Sequence, residues 1–131
     1  MRITRVEKLD SFWPQLRVLL DDCYPKPPRD VCDLLVSLYR EGFPAWLAED
    51  AGILVGFVCL VPNSKGGTLE TLAVHPVLQG SGMGSHLVGA LLAETPGVVT
   101  LTTRIPQYFA KFGFSEVVHL ADGSIFMIRK C

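Results

Sequence analysis

Three glycines lie within five residues of this 131-residue chain, at positions 80, 82 and 84 of the segment AVHPVLQGSGMGSHL. The segment joins a strand-like run that ends before Pro76 to an apolar helical pattern. Glycine lets another molecule approach the backbone closely, and the first turn of a helix presents N–H groups at the positive end of its dipole. These features predict a main-chain site for a phosphate. A plain flexible turn is the alternative interpretation.

Two familiar phosphate-binding motifs do not fit this segment. A P-loop needs a lysine directly after its last glycine, and position 85 is serine. A dinucleotide-binding fingerprint would place its third small residue at Ser85, but it belongs to an early strand–helix–strand unit. Only residues 85–131 follow Gly84, which is too short for the rest of such a sheet.

The elements that must position this segment follow from the hydrophobic pattern. Helices are predicted from Asp10 or Ser11 to Cys23, from Asp30 to Gly42, behind the glycines up to Pro96, and from Pro106 to Phe112. Strands are predicted near residues 2–6, 45–49, 53–61, 68–74, 98–103, 115–119 and 124–129. This order is typical of a mixed α/β domain, and we expect residues 1–131 to form a single domain.

Composition excludes several classes of protein. A formal net charge of -1 without clustered Lys and Arg argues against nucleic-acid binding. The N-terminal residues lack the apolar stretch of a secretory signal, and no apolar run reaches the roughly 20 residues that a membrane span needs. The four cysteines lack the spacing of a zinc site, so we expect no metal and a cytoplasmic location with reduced thiols.

Two motifs in register resemble those of the GNAT superfamily of acyl-CoA-dependent N-acyltransferases. The first is Gln79-x-x-Gly82-x-Gly84, between a strand that ends in LAVHP and an apolar helix. The second is YFAKFGF at residues 108–114, which resembles the family's FYxKxGF segment. The stretch LTTRIPQYFAKFGF is also similar to the acetyltransferase domain of N-acetylglutamate synthases, which suggests an amino-acid acceptor.

The resemblance implies a fold, a co-substrate and the residues that bind it. The fold would be a mixed, mostly antiparallel sheet flanked by helices, with the strands near 68–74 and 98–103 splayed apart. Acetyl-CoA would enter this opening, its pantetheine arm would pair with the 72–74 edge, and the N–H of Leu72 or a neighbour would polarise the thioester carbonyl. The implied cofactor-binding residues are Leu72, Ala73, Val74, Gln79, Gly80, Ser81, Gly82, Met83, Gly84, Ser85, Phe109 and Phe112.

Glu70 is the candidate general base. An alkyl ammonium group with a pKa of about 10.4 is almost wholly protonated at neutral pH, so an amine acceptor must lose a proton before it attacks. Glu70 lies in TLETLAV, and the two-residue period of a strand places Thr68, Glu70 and Leu72 on one face. Related enzymes often carry a carboxylate on this strand. An exposed strand glutamate without a catalytic role is the alternative.

Tyr108 is the candidate general acid for the leaving thiolate. The family's tyrosine directly precedes xKxGF, and that position is Phe109 here, so the tyrosine is displaced by one residue. One residue turns a helix by about 100°. This displacement predicts that Tyr108 points toward the core while Phe109 and Phe112 lie along the cofactor channel.

The leading function is transfer of an acetyl group from acetyl-CoA to a primary amine by direct attack in a ternary complex. The acceptor would be a small amine, an amino acid, or a lysine or N-terminal amine, and the protein a monomer or homodimer. A non-catalytic CoA-binding module and a transferase for longer acyl chains are the alternatives. Other residues considered at the site are His75, expected at the surface, the acidic-wall candidates Asp21, Asp22 and Tyr24, and Arg104, whose role stays open.

Overall fold

A computed structural model describes residues 2–7, 12–23 and 42–130 of the chain. Its strands are β1 (Arg2–Val6), β2 (Ala45–Asp50), β3 (Ile53–Asn63), β4 (Gly66–Val74), β5 (Val98–Thr103), β6 (Ser115–His119) and β7 (Ile125–Arg129). Its helices are α1 (Trp13–Cys23), α2 (Met83–Ala93) and α3 (Pro106–Ala110), with a short 3-10 turn at Pro76–Leu78. The helix predicted between Asp30 and Gly42 lies outside the described residues, as do Tyr24 and the predicted caps Asp10 and Ser11.

The seven strands form one mixed sheet in the order β1-β2-β3-β4-β5-β7-β6. Neighbouring strands are antiparallel except β4 and β5, which are parallel. The apolar residues of α1, led by Leu16 and Leu19, bury one face of the sheet. Those of α2, led by Leu87 and Leu91, bury the other, together with Phe109 from α3. The predicted α/β fold, a mostly antiparallel sheet flanked by helices, is confirmed.

The sheet opens between β4 and β5. Their pairing covers only Gly66–Thr68 against Val98–Thr100. Beyond this point β4 continues beside β3 up to Val74, and β5 continues beside β7. The side-chain oxygens of Thr68 and Thr100 lie 3.1 Å apart at the last paired position. The predicted splay is therefore present, and it exposes one backbone edge of the C-terminal half of β4.

The closed end of this opening depends on a glycine. A Cβ atom on Gly97 would collide with the carbonyl oxygen of Lys65 and lie 3.1 Å from its carbonyl carbon. The same carbonyl oxygen accepts a hydrogen bond from the N–H of Val98 at 2.7 Å, which ties the start of β5 to the turn before β4. The backbone segments at Gly97 and Lys65 would have to separate to admit a side chain at position 97.

We therefore expect Gly97→Ala to lower the free energy of unfolding by about 2–3 kcal/mol, measured by urea denaturation. Gly89→Ala is the matched control, because no atom lies within 4 Å of a Cβ at this position in α2. Removing a helical glycine there should raise the stability by about 0.5–1 kcal/mol. Equal effects of the two changes would contradict the role assigned to Gly97.

Candidate active site

The glycine segment forms the entrance to α2, as the sequence predicts. Gly82 is the N-cap residue of α2 and has φ 90°, with no side chain bonded to the first turn of the helix. The first N–H groups of an α-helix have no partner inside the helix, and here they follow directly after the loop. These groups, on Met83, Gly84 and Ser85, fit an anion such as a diphosphate.

Not every N–H group of the loop is available for an anion. The N–H of Gln79 donates to the carbonyl of Pro76 at 3.4 Å, and that of Ser81 donates to Leu78 at 3.1 Å. The Ser81 hydroxyl also donates to the Leu78 carbonyl. The N–H and the hydroxyl of Ser81 are therefore already bonded within the turn. The N-terminus of α2 is the larger source of hydrogen-bond donors for an anion.

An open cleft of about 460 Å³ lies beside this loop. It separates the end of β4 and the start of α2 from α3, at the point where β4 and β5 diverge. Its lining residues are Leu72, Val74, Leu78, Gln79, Gly80, Gly82, Gly84, Ser85, Ile105, Tyr108 and Lys111. The cleft thus brings together seven of the twelve residues predicted to bind the cofactor.

The two aromatic rings of α3 have the opposite orientation to the one predicted. Tyr108 lines the cleft, and its hydroxyl lies over Gly84, where an added Cβ would be 2.6 Å from the phenolic oxygen. Phe109 is buried in the core at 6% exposure, with its ring 6.0 Å from that of Phe114. The reason is the phenol group: burying a hydroxyl without a partner is costly, so the apolar neighbour takes the core position. Phe112 is half-buried beside Tyr108 and is not among the residues that line the cleft.

The exposed edge of β4 presents alternate peptide groups to the opening. The N–H of His75 donates to the Val55 carbonyl at 2.8 Å, which fixes the hydrogen-bonding phase of β3 and β4. In this phase the peptide groups of Val74 point away from β3, while those of Ala73 point toward it. The Val74 carbonyl accepts from the side-chain amide of Gln79 at 3.1 Å and from the Cys23 thiol at 3.2 Å. The Ala73 side chain packs on the α1 face, so its predicted contact with the cofactor is not supported by this geometry.

A β-bulge in β4 separates Glu70 from the cleft. Val58 pairs with Leu72 and Leu60 pairs with Leu69, so Glu70 and Thr71 both lie opposite the single residue Cys59. The extra residue shifts the alternation of side chains. Leu69 and Leu72 therefore both pack on the α2 face, where two residues of opposite parity would otherwise lie on opposite faces.

Glu70 lies on the other face of the sheet, toward α1. Its charge and the hydrogen bonds of Thr71 act on the Cys59 thiol, which belongs to the cluster of buried residues around α1. The expectation that Glu70 and Leu72 share a face is wrong, because it assumed an unbroken two-residue period. Because of the bulge, Glu70 lies on the α1 face and the Leu72 side chain on the α2 face of the same opening between β4 and β5.

The carboxyl group of Glu70 is partly desolvated. The residue is exposed overall, but surrounding protein shields part of the carboxyl, and this burial raises its pKa above the ordinary value for glutamate. A raised pKa makes a carboxylate a stronger base. The group is thus a stronger proton acceptor than an ordinary surface glutamate.

Two thiols near β4 are unsuited to act as nucleophiles. Burial raises the pKa of Cys59 to about 12. Burial and the nearby charge of Asp22 raise the pKa of Cys23. Both thiols are free and remain protonated at neutral pH, so neither supplies the thiolate that a covalent acyl-enzyme would need.

Several other residues considered in the sequence have structural partners. The Nε2 atom of His75 lies 3.7 Å from a carboxylate oxygen of Asp22, and its Nδ1 accepts the N–H of Val77 at 3.2 Å. Arg104 is exposed and lies 3.8 Å from Asp122, and it does not line the cleft. Asp21 is an exposed residue of α1.

Lys111 lines the cleft but is not among the site residues predicted from the sequence. Its ammonium nitrogen lies 4.2 Å from the centre of the Tyr108 ring and 5.4 Å from that of Phe112. The i, i+3 spacing from Tyr108 was the available signal, since it places both side chains on one face of a short helix. No group of metal-ligating side chains occurs in residues 2–7, 12–23 and 42–130. None of the helices described there is long and apolar enough to cross a bilayer.

Comparison with known proteins agrees with this geometry. The family model of the acetyltransferase (GNAT) domain matches residues 41–116, more than half of the chain. The peptidyl-lysine N-acetyltransferase YjaB of Salmonella typhimurium is 29% identical over 113 residues, which cover 82% of this chain and 75% of the relative.

Two solved structures show the same fold. An aminoglycoside 6'-N-acetyltransferase complexed with coenzyme A has a TM-score of 0.82 and 19% identity, covering 99% of this chain and 97% of its own. The aminoglycoside 6'-N-acetyltransferase from Enterococcus faecium has the same TM-score, identity and coverage. On the match of the family model, the chain belongs to the GNAT family of acetyl-CoA-dependent N-acetyltransferases.

Proposed function

We propose that this enzyme transfers the acetyl group of acetyl-CoA to a primary amine by direct attack, with both substrates bound at once. One observation carries the proposal: the opening between β4 and β5 has a phosphate-compatible cleft on its α2 face and the Glu70 carboxylate on its α1 face. A donor that enters from one face and an amine that enters from the other would meet at the Leu72 edge.

The donor side would be bound mainly by the backbone. The N-terminal N–H groups of α2 would hold the diphosphate, and the outward peptide groups of Val74 would pair with the pantetheine arm as an added strand. The Gln79 side chain now bonded to Val74 would be displaced. An N–H donor at Leu72, which lines the cleft, would polarise the thioester carbonyl.

Two side chains would transfer protons during the reaction. Glu70 would take a proton from the ammonium form of the acceptor, directly or through water, so that the nitrogen lone pair can form the new C–N bond. The C–S bond breaks and its electron pair leaves with sulfur. The nitrogen would lose its second proton to solvent as the amide forms. Tyr108 would donate a proton to the sulfur, since its hydroxyl lies in the cleft, and would regain one from solvent. The protonated state of Cys23 and Cys59 favours this direct route over a covalent acyl-enzyme.

The acceptor is proposed at the level of a primary amine. The names of the similar proteins, a peptidyl-lysine acetyltransferase and aminoglycoside 6'-acetyltransferases, describe amine acceptors of very different size. The alternative of a longer acyl donor depended on Phe109 and Phe112. Phe109 is buried in the core and Phe112 does not line the cleft, so neither ring supports this alternative.

The test is release of free thiol from acetyl-CoA in the presence of a panel of amines: amino acids, diamines, aminoglycosides and lysine peptides. We expect release that depends on both the amine and its concentration, with initial-rate patterns that intersect, as a ternary complex requires. Absence of release with every class of amine, despite measurable binding of CoA, would overturn the proposed transfer. Parallel patterns would overturn the direct route.

A further inference from the structure

Among the described residues that line the cleft, one has a charged side chain. This residue is Lys111, which directly follows α3 and belongs to the wall opposite the glycine loop. The other lining residues are apolar, or are glycines and neutral polar residues. A positive charge in a cleft whose other wall is a helix N-terminus adds to the attraction for an anion.

The ammonium group of Lys111 contacts two aromatic rings. The ammonium nitrogen lies over the ring of Tyr108 at 4.2 Å and near that of Phe112 at 5.4 Å, both within the range of cation–π contacts. The hydroxyl of the same tyrosine lies over Gly84 in the first turn of α2. Tyr108 is therefore a common neighbour of Lys111 and of the first turn of α2, so an anion bound at that N-terminus would share the cleft with the ammonium group.

We propose that Lys111 binds the diphosphate of the acyl carrier from the wall opposite the glycine loop, and so makes the cleft selective for carriers with a diphosphate. The inference rests on the proposed use of this cleft by acetyl-CoA. The family's glycine motif supplies backbone donors on one wall only; Lys111 supplies the charge on the other. A thioester of pantetheine, which has no phosphate, would lose both contributions.

Two other residues of the described chain, Arg104 and His86, are less suited to this role. Arg104 precedes the cleft residue Ile105, but it points to Asp122 and is not part of the lining. His86 is an exposed residue of α2, next to Ser85, and it too does not line the cleft. Asp22 lies beside His75 and belongs to α1, on the other face of the sheet, so its carboxylate does not compete for Lys111.

The experiment measures binding by calorimetry for CoA, 3'-dephospho-CoA and pantetheine, with the wild type, Lys111→Gln and Lys111→Arg. We expect Lys111→Gln to weaken the binding of CoA and 3'-dephospho-CoA alike, by about two- to fivefold, and to leave the binding of pantetheine unchanged. Lys111→Arg should retain most of the affinity. The dependence of CoA binding on NaCl should be shallower for Lys111→Gln than for the wild type.

Lys65→Gln is the matched control, since it removes the same charge in the turn before β4, at the far end of that strand from the cleft. It should change none of the three affinities. The enzyme assay adds a second readout: Lys111→Gln should raise the KM for acetyl-CoA and leave kcat nearly unchanged.

Four results would overturn the inference. A loss confined to CoA would assign Lys111 to the 3'-phosphate instead, and equal losses for all three carriers would indicate a role away from phosphate. A lower kcat with an unchanged KM would indicate action through Tyr108. Equal affinities of the wild type and Lys111→Gln for CoA would overturn this inference alone. Failure of the wild type to bind CoA would overturn the proposed function.

Discussion

Replacing Glu70 with glutamine is expected to lower kcat/KM for amine acetylation by about 10²- to 10³-fold at neutral pH. Glutamine keeps the size of the side chain but cannot accept a proton. The acceptor would then have to arrive already deprotonated, and that form is a small fraction of an alkyl amine whose pKa is about 10.4. Initial rates of thiol release from acetyl-CoA provide the measurement.

The pH dependence follows from the raised pKa of Glu70. A general base works when it is ionised, so activity should increase as the pH rises through this pKa, above the range of an ordinary glutamate. The acidic limb of the kcat/KM profile should therefore disappear in Glu70→Gln. The rate of the variant should instead rise as the ammonium group of the acceptor loses its proton, up to a pKa of about 10.4.

Stability should move in the opposite direction to activity. Because the folded state raises the pKa of Glu70, it binds the proton more tightly than the unfolded chain does, and its stability falls as the pH rises through this range. Glu70→Gln removes that cost. The variant should be at least as stable as the wild type in urea at neutral pH, which separates a catalytic defect from a folding defect.

Glu116→Gln is the matched control for the rate measurement. Glu116 is an exposed glutamate of β6, at the edge of the sheet, where its carboxylate lies 3.1 Å from His119. Its replacement should leave the rate unchanged. A Glu70→Gln enzyme with the rate of the wild type would remove Glu70 from the mechanism, whatever the pH profile.

The sequence was sufficient to predict most of the fold that surrounds the site. Every strand found in the described residues was expected from alternation and turn signals, with ends that differ by one or two residues. The glycine segment was expected to join a strand to a helix, and Gly82 is the N-cap residue of α2. This success has a local cause: strand alternation, helix spacing and glycine are read from neighbouring residues.

The face of the sheet on which Glu70 lies could not be predicted in this way. A two-residue period holds only while the register with the neighbouring strand is unbroken, and one extra residue between Leu69 and Leu72 moves every later side chain to the other face. Nothing in TLETLAV marks this bulge. It is set by pairing with β3, where Cys59 lies opposite two residues.

The predicted orientation of Tyr108 and Phe109 is wrong for a different reason. The prediction transferred the family's tyrosine position by counting along a helix, but the helix rotates as a rigid unit to place its most apolar side in the core. Phe109 packs against Phe114 there, and the phenol of Tyr108 faces the cleft. The polarity of the two rings was the better guide than their position in the motif.

The second large effect is expected at Gly82, where valine should weaken the binding of CoA by about tenfold or more while leaving the chain folded. Gly82 has φ 90°, a conformation that a β-branched residue adopts only at a cost of about 1–3 kcal/mol. Relief of this strain would rotate the first N–H groups of α2 away from the anion. A tenfold change in affinity corresponds to about 1.4 kcal/mol, within the range of that strain.

Gly52→Val separates backbone strain from loss of the phosphate site. Gly52 also has positive φ, at 80°, and neither position has an atom within 4 Å of an added Cβ, so the two substitutions introduce comparable strain without a clash. Gly52 lies in the turn between β2 and β3, away from the cleft. Both variants should lose stability in urea, but only Gly82→Val should lose affinity for CoA in calorimetry. Because the proposed diphosphate contacts are made by the main chain, unchanged affinity in Gly82→Val would mean that the anion is bound elsewhere, even if both variants were destabilised as expected.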